Sequence, residues 1–322
     1  MEYLFNELYQ DLRNFTIDYI SYEYDYCYMK SMLRLNGIMK PEVIVLGCSH
    51  ARNGICEDVF PYKVINMSSA SQDLHISKLL LDKIMVDNNR LKYCVVNIGY
   101  WGLYQELSKQ VNEGHLLQDR YYPILKLNEY SPIDSFSKLK SIQNRYSNLF
   151  NTMSKGTIKL FADDWSDSYF IKQKGYFGLN KNRANSPNTE STGKLWKELD
   201  DASRNRIGRA RANAHNKFVK YNESLATNRD ILNEMIYLLV ENNIKPIISI
   251  FPFSREYIKY IDVRYKDEIV STLNELENEI YFLDMNDYGE FFEVADFIDA
   301  DHLDDSGAKK SSVLLNEFIR QI

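Results

Sequence analysis

Cysteine is scarce in this chain and carries no pattern: Cys27, Cys48, Cys56 and Cys94 lack metal-ligand spacing, so neither a zinc module nor a disulfide framework is expected. Two of the four lie in or beside runs that read as buried strands, and reduced thiols in a cytoplasmic protein are the simplest reading. Basic excess is lacking too. A net charge of -6 argues against DNA or RNA as the main partner, because phosphate neutralisation needs a basic face. No run approaches the roughly 18 uninterrupted apolar residues of a membrane span. The longest, around Ile244–Phe253, is broken by Lys245 and Pro246. The amino terminus, MEYLFNELYQDLRNF, mixes acids into its apolar residues and lacks the basic-then-apolar order of a secretory signal. No G-x-G-x-x-G or phosphate loop follows any strand candidate, which weakens a nucleotide-binding reading. No internal repeat is found.

What is present is an alternation. Hydrophobic residues make up 44% and charged residues 26%, the balance of an ordinary globular protein. Leu4, Leu8, Leu12 and Phe15 recur at helical spacing, and a Tyr-rich stretch continues the pattern to Gly37, so residues 1–40 read as an N-terminal helical segment. Strands are expected at Val43–Gly47, Lys63–Asn66, Tyr93–Gly99, Lys245–Pro252 and Ile280–Asp284, helices after Ser71 (a candidate cap), at Leu225–Val240, at Tyr265–Leu276 and at Ser306–Ile319. From about 104 to 222 the regularity fails, and a polar segment, Gly178–Lys194, reads as a mobile loop. The expected organisation is one α/β domain over 41–322, with a cap or insertion at about 104–222. Strands alternating with helices imply a five-stranded parallel sheet covered on both faces, a flavodoxin-like three-layer sandwich. In such sheets reactive groups collect at the carboxyl ends of the strands.

Two sites at those ends carry chemistry. Gly47-Cys48-Ser49-His50 follows the first strand; glycine allows a tight turn and Ser49 lands over the sheet edge. A serine hydroxyl needs a base to act as a nucleophile. The late loop FIDADHLDDSGA places Asp299 three residues before His302, a spacing that lets the carboxylate hold one imidazole nitrogen while the other faces a nucleophile. Asp299, Asp301, Asp304 and Asp305 read equally as a solvated acidic loop when taken alone. The two segments together point to a Ser-His-Asp relay.

These segments, LGCSHARNGI and DFIDADHLDDSGA, resemble the SGNH (GDSL-type) hydrolase superfamily. They resemble most a branch with the D-alanine transfer protein of lipoteichoic acid synthesis and the alginate-type O-acetyltransferases. There G-x-S and a basic residue open the domain, and D-x-x-H-L-x-x-x-G-A closes it. The resemblance covers the five strands and the last helix, not residues 1–40 or the insertion. It implies Ser49 as nucleophile, His302 as general base and then acid, and Asp299 as orienter. It further implies a serine-dependent esterase or acyltransferase acting on a carbohydrate or cell-envelope glycan, without a cofactor. The oxyanion hole would draw on Ser49, on the backbone of Ser68 or Ser69 in place of the usual glycine, and on Asn97 or Gly99 in place of G-x-N. Cys48 stands where the usual hydrolase has Asp and is a rival nucleophile. A binding or assembly module with a decayed oxyanion hole is the alternative.

Other residues keep two readings. His50 and Arg52, beside the nucleophile, contact substrate or pack against the turn. Tyr100 and Trp101 form a sugar-stacking wall or core. Arg204, Arg206, Arg209 and Arg211 hold an anionic glycan or line a solvated helix face. His75, His115 and His215 have no ligand spacing, so no metal is assigned.

Overall fold

In the computed structural model, residues 2–147, 154–173 and 194–322 are described. The polar segment expected to be a mobile loop lies, through residue 193, outside the described residues. The chain forms two compact units, one from residues 1–39 and 111–175, the other from 40–110 and 176–322. The expected N-terminal segment is thus the first part of one unit. The irregular 104–222 stretch is divided: 111–175 joins the N-terminal helices, whereas 104–110 and 194–222 belong with the sheet.

In the helical unit, α1 (Glu2–Tyr22) and α2 (Tyr24–Met39) pack with α5 (Lys138–Tyr146) and α6 (Lys155–Gln173). Helical spacing buries Leu8, Leu12, Phe15 and Tyr19 on α1 and Tyr28, Met29 and Met32 on α2, with Ile158, Ala162 and Phe170 of α6 also in the core. Lys30 donates to Asp163 at 2.8 Å, and Arg34 pairs with Asp167 at 2.8 Å.

In the other unit, five parallel strands run in the order β2-β1-β3-β4-β5: β1 (Val43–Leu46), β2 (Val64–Asn66), β3 (Tyr93–Asn97), β4 (Lys245–Ile250) and β5 (Tyr281–Asp284). This is the flavodoxin-like order. The strands lack polar alternation because both faces are covered. Val43, Val45, Val95, Ile247 and Leu283 face a core with Ala51 and Ile55 of α3 (Ser49–Gly54) and with Leu315 and Ile319 of α10 (Asp305–Gln321). Alternation turns Ile44, Leu46, Cys94 and Val96 the other way, where α4 (Leu74–Asp87) packs with α8 (Asn222–Glu241). Ser71 does not cap α4. Its φ is +58°, and Asp73 is the cap, accepting from Ile76 N–H at 2.9 Å. Asn228 of α8 donates to the carbonyls of Leu103 and Gln105 at 3.0 and 2.9 Å, tying the segment after β3 to the sheet.

Candidate active site

The turn after β1 can be built only on glycine. Gly47 has φ +139°, and a Cβ there would lie 2.6 Å from the Asn97 carbonyl oxygen and 2.7 Å from Asn97 Cβ. Cys48 then runs extended and Ser49 opens α3. From the other end of the chain, an antiparallel bridge between Phe297 and Leu303 closes a tight loop, with Ile298 N–H donating to the His302 carbonyl at 3.0 Å. Inside that loop the Asp299 carboxylate is buried. Its Oδ1 accepts the backbone N–H groups of Asp301 and His302 at 2.9 and 2.8 Å. Both of its oxygens lie 3.0 Å from His302 Nδ1, and His302 Nε2 lies 2.8 Å from Ser49 Oγ. A carboxylate can only accept, so Nδ1 carries the proton and Nε2 offers its lone pair to the serine hydroxyl. The structure therefore brings Ser49, His302 and Asp299 into one relay.

A second network lies beside it. Cys48 Sγ is 3.0 Å from His50 Nδ1; His50 Nε2 is 3.3 Å from Asp301 Oδ2. Arg211 Nε, on α7 (Asp201–Asn216), bonds the two Asp301 oxygens at 3.0 and 2.9 Å. Burial pushes the Asp301 carboxyl up, but Arg211, His302 and His50 outweigh it and hold the group well below the usual carboxylate range. Burial likewise opposes the charge on His50, yet Cys48 and Asp301 raise it to about 10. The Cys48 thiol is lowered, the attraction of His50 exceeding the cost of burial. His215 is held well below its ordinary value, first by burial and then by Arg211. It is neutral, shares a hydrogen bond with the Tyr257 hydroxyl at 2.6 Å and stacks on Trp101, centroids 3.6 Å apart.

Several expected site residues have other employment. His50 is only 3% exposed and serves Cys48 and Asp301, not substrate. Tyr100 and Trp101 are each 5% exposed: Tyr100 donates to Asp284 at 2.8 Å, and Trp101 is covered by His215, His50 and Phe253. They form core, not a sugar wall. Arg52 is half-buried, its Nε donating to Asn53 at 3.4 Å. The arginine run divides by helical phase: Arg204 is buried against Glu256, Asp201 and the Leu199 carbonyl, Arg206 and Arg209 are exposed, and Arg211 reaches the site.

The oxyanion donors also depart from expectation. Ser68 N–H donates to Asn66 Oδ1 at 3.1 Å and Ser69 N–H to the Gly47 carbonyl at 3.1 Å. Asn66 in turn donates to Ala51 O at 3.0 Å, so an asparagine ties the end of β2 to α3 and consumes the N–H meant for the hole. Asn97 Nδ2 donates to Ser249 O at 3.1 Å. The Gly99 carbonyl accepts from Gly102 N–H at 2.7 Å. Ser49 N–H lies in the first turn of α3, where helix geometry supplies no intrahelical acceptor. The Ser68 hydroxyl is buried without a hydrogen-bond partner and is a spare donor after β2.

His50, Asp301 and His302 place ligand atoms within 4.8 Å of one another. Each is committed, to Cys48, to Arg211 and to Ser49 with Asp299, and a cation there would face the Arg211 guanidinium; the set suits proton relay better than metal ligation. A cleft of about 240 Å³ lined by Trp196, Glu256, Phe292 and Phe297, among others, includes none of the triad residues. Sequence reading left Asp301 in an acidic loop and Arg211 in a basic run offered to an anionic glycan or to solvent, and it missed their pairing beside the site; the one signal was their opposite charge. The sequence matches no family model and no curated protein. Among the described residues no helix is long and apolar enough to cross a membrane.

Proposed function

We propose that this chain is an SGNH-type serine-dependent esterase or O-acyltransferase. The observation that carries the reading is the unbroken line from Ser49 Oγ through His302 to Asp299. Ser49 Oγ attacks the ester carbonyl as Nε2 of His302 takes its proton. Asp299 fixes the tautomer and favours the imidazolium. The developing oxyanion takes the Ser49 N–H, with the Ser68 hydroxyl as the candidate second donor. The imidazolium returns its proton to the departing alkoxide, the acyl group stays on Ser49, and water or a sugar hydroxyl releases it by the same relay reversed. An acylated or acyl-accepting carbohydrate of a cell envelope is the substrate class that the sequence resemblance supports. Four unpaired cysteines support a reducing, cytoplasmic setting.

The second reading, a glycan-binding or assembly module with the same fold, is favoured by one observation: the backbone N–H groups of Ser68 and Ser69 are occupied. A lost donor costs roughly 10²–10³ in rate. Hydrolysis of p-nitrophenyl acyl esters separates the two. The enzyme reading expects turnover that Ser49→Ala abolishes and that Asp299→Asn lowers by about 10³-fold or more with the fold intact. No turnover by the wild type, together with retained glycan, supports the binding module.

A further inference from the structure

The hydrogen bonds around Cys48 repeat the order of the first relay. Cys48, His50 and Asp301 stand as nucleophile, imidazole and carboxylate, each link within 3.3 Å, one residue before Ser49 on the same turn. The two imidazoles lie face to face, centroids 4.8 Å apart and planes at 4°. The Ser49 relay has no use for the sulfur. A merely structural cysteine would resemble Cys27 and Cys94, which are buried and whose thiols burial pushes far up. Cys48 instead is partly exposed, as Ser49 is.

We propose that Cys48 is a second nucleophile of this protein, a thiolate held against the imidazolium of His50 and open to peroxide, which converts it to a sulfenic acid. The sulfur attacks one peroxide oxygen, the S–O bond forms and the O–O bond breaks. The sulfur loses two electrons to the peroxide, and the leaving hydroxide takes the Nδ1 proton of His50 to depart as water. Such chemistry follows thiolate character and access together. Ionised Asp301 cannot donate, so His50 Nε2 must, which leaves Nδ1 and the sulfur to share one proton at 3.0 Å; the Asp301 carboxylate on the far side of the ring favours that proton on the imidazole. The charged or titratable groups around the pair are Asp301 and His302 from the loop before α10, and Arg211 and neutral His215 from α7. Asn97 Oδ1 faces the sulfur at 3.4 Å and favours the protonated thiol, but it is a neutral acceptor at longer range than the imidazole at 3.0 Å.

The test is the rate of carbamidomethylation of Cys48 by iodoacetamide from pH 5.5 to 9, followed by peptide mass spectrometry. A parallel sample takes hydrogen peroxide and dimedone, which traps sulfenic acid. The expected rate at Cys48 levels off at lower pH than that of an ordinary thiol, which still gains thiolate up to and beyond its midpoint near about 8.5. A dimedone adduct is expected on Cys48. His50→Asn should cut the rate at pH 6.5 by about tenfold or more and restore the ordinary rise with pH; if that variant does not fold, the wild-type profile decides alone. Ser49→Ala should leave the Cys48 rate in place, which separates this claim from the ester chemistry. A wild-type rate that climbs through an ordinary thiol midpoint, or no dimedone adduct on Cys48, overturns the proposal.

Discussion

At the residue scale, the triad was legible because each half is local. A glycine that must precede the serine and a carboxylate three positions before a histidine are short patterns with geometric meaning, and both are met by the contacts at Gly47 and Asp299. The second network was not legible, because it joins Cys48 to Arg211 across three elements and no spacing encodes that. Burial was not legible either: Tyr100 and Trp101 follow a strand end as substrate contacts would, and only the stacked His215 shows that they are core. The Cys48–His50 pair predicts a pH signature. His50 keeps its proton up to about 10, whereas an unfolded histidine loses it above about 6.5. That contribution is full below 6.5 and is lost as pH rises through 10. Cys48, lowered, contributes above the ordinary thiol value of about 8.5 and loses its contribution as pH falls through its folded value. Between the lowered thiol value and about 8.5 the two proton changes offset; from about 8.5 to 10 only the histidine effect is left and stability falls. Urea midpoints should therefore drop more steeply over that last interval in the wild type than in His50→Asn. Equal slopes would contradict the ion pair.

At the element scale, strands were read within about two residues because β-branched runs ended by glycine, asparagine or proline leave little choice. Caps were harder. Ser71 was the expected cap, but Asp73 caps the helix through Ile76 N–H at 2.9 Å and also accepts Leu107 N–H at 2.7 Å, a tertiary contact invisible in the segment. The last helix holds the Ser49 helix and the residues just after it by buried hydroxyls: Ser311 donates to the Gly54 carbonyl at 2.5 Å, and Ser312 Oγ accepts Cys56 N–H at 2.7 Å. Removing the second leaves a buried amide unpaired, so Ser312→Ala should cost about 1–3 kcal/mol in chemical denaturation. A change near zero would mean that the amide finds another partner.

At the scale of the whole molecule, the parallel five-stranded sheet was expected and found, while the pairing of residues 111–175 with the N-terminal helices was not. Helical periodicity shows which face of a helix is apolar but not which distant helix covers it. In that unit α6 shares its core with α1 and α2. A chain beginning at residue 40 should therefore lose more helical ellipticity than the 37 residues of α1 and α2 (21 and 16) account for, because α6 loses its cover. A loss matching those two helices alone would show that α6 stands without them.

The proposed chemistry depends on the chain bringing position 49 to position 302, so the most direct measurement is covalent capture of the serine. A fluorophosphonate probe, with the adduct located by peptide mass spectrometry, should label Ser49, and labelling should vanish in Ser49→Ala and fall sharply in His302→Gln. An adduct on another residue, or labelling that persists without the Ser49 hydroxyl, would contradict the account.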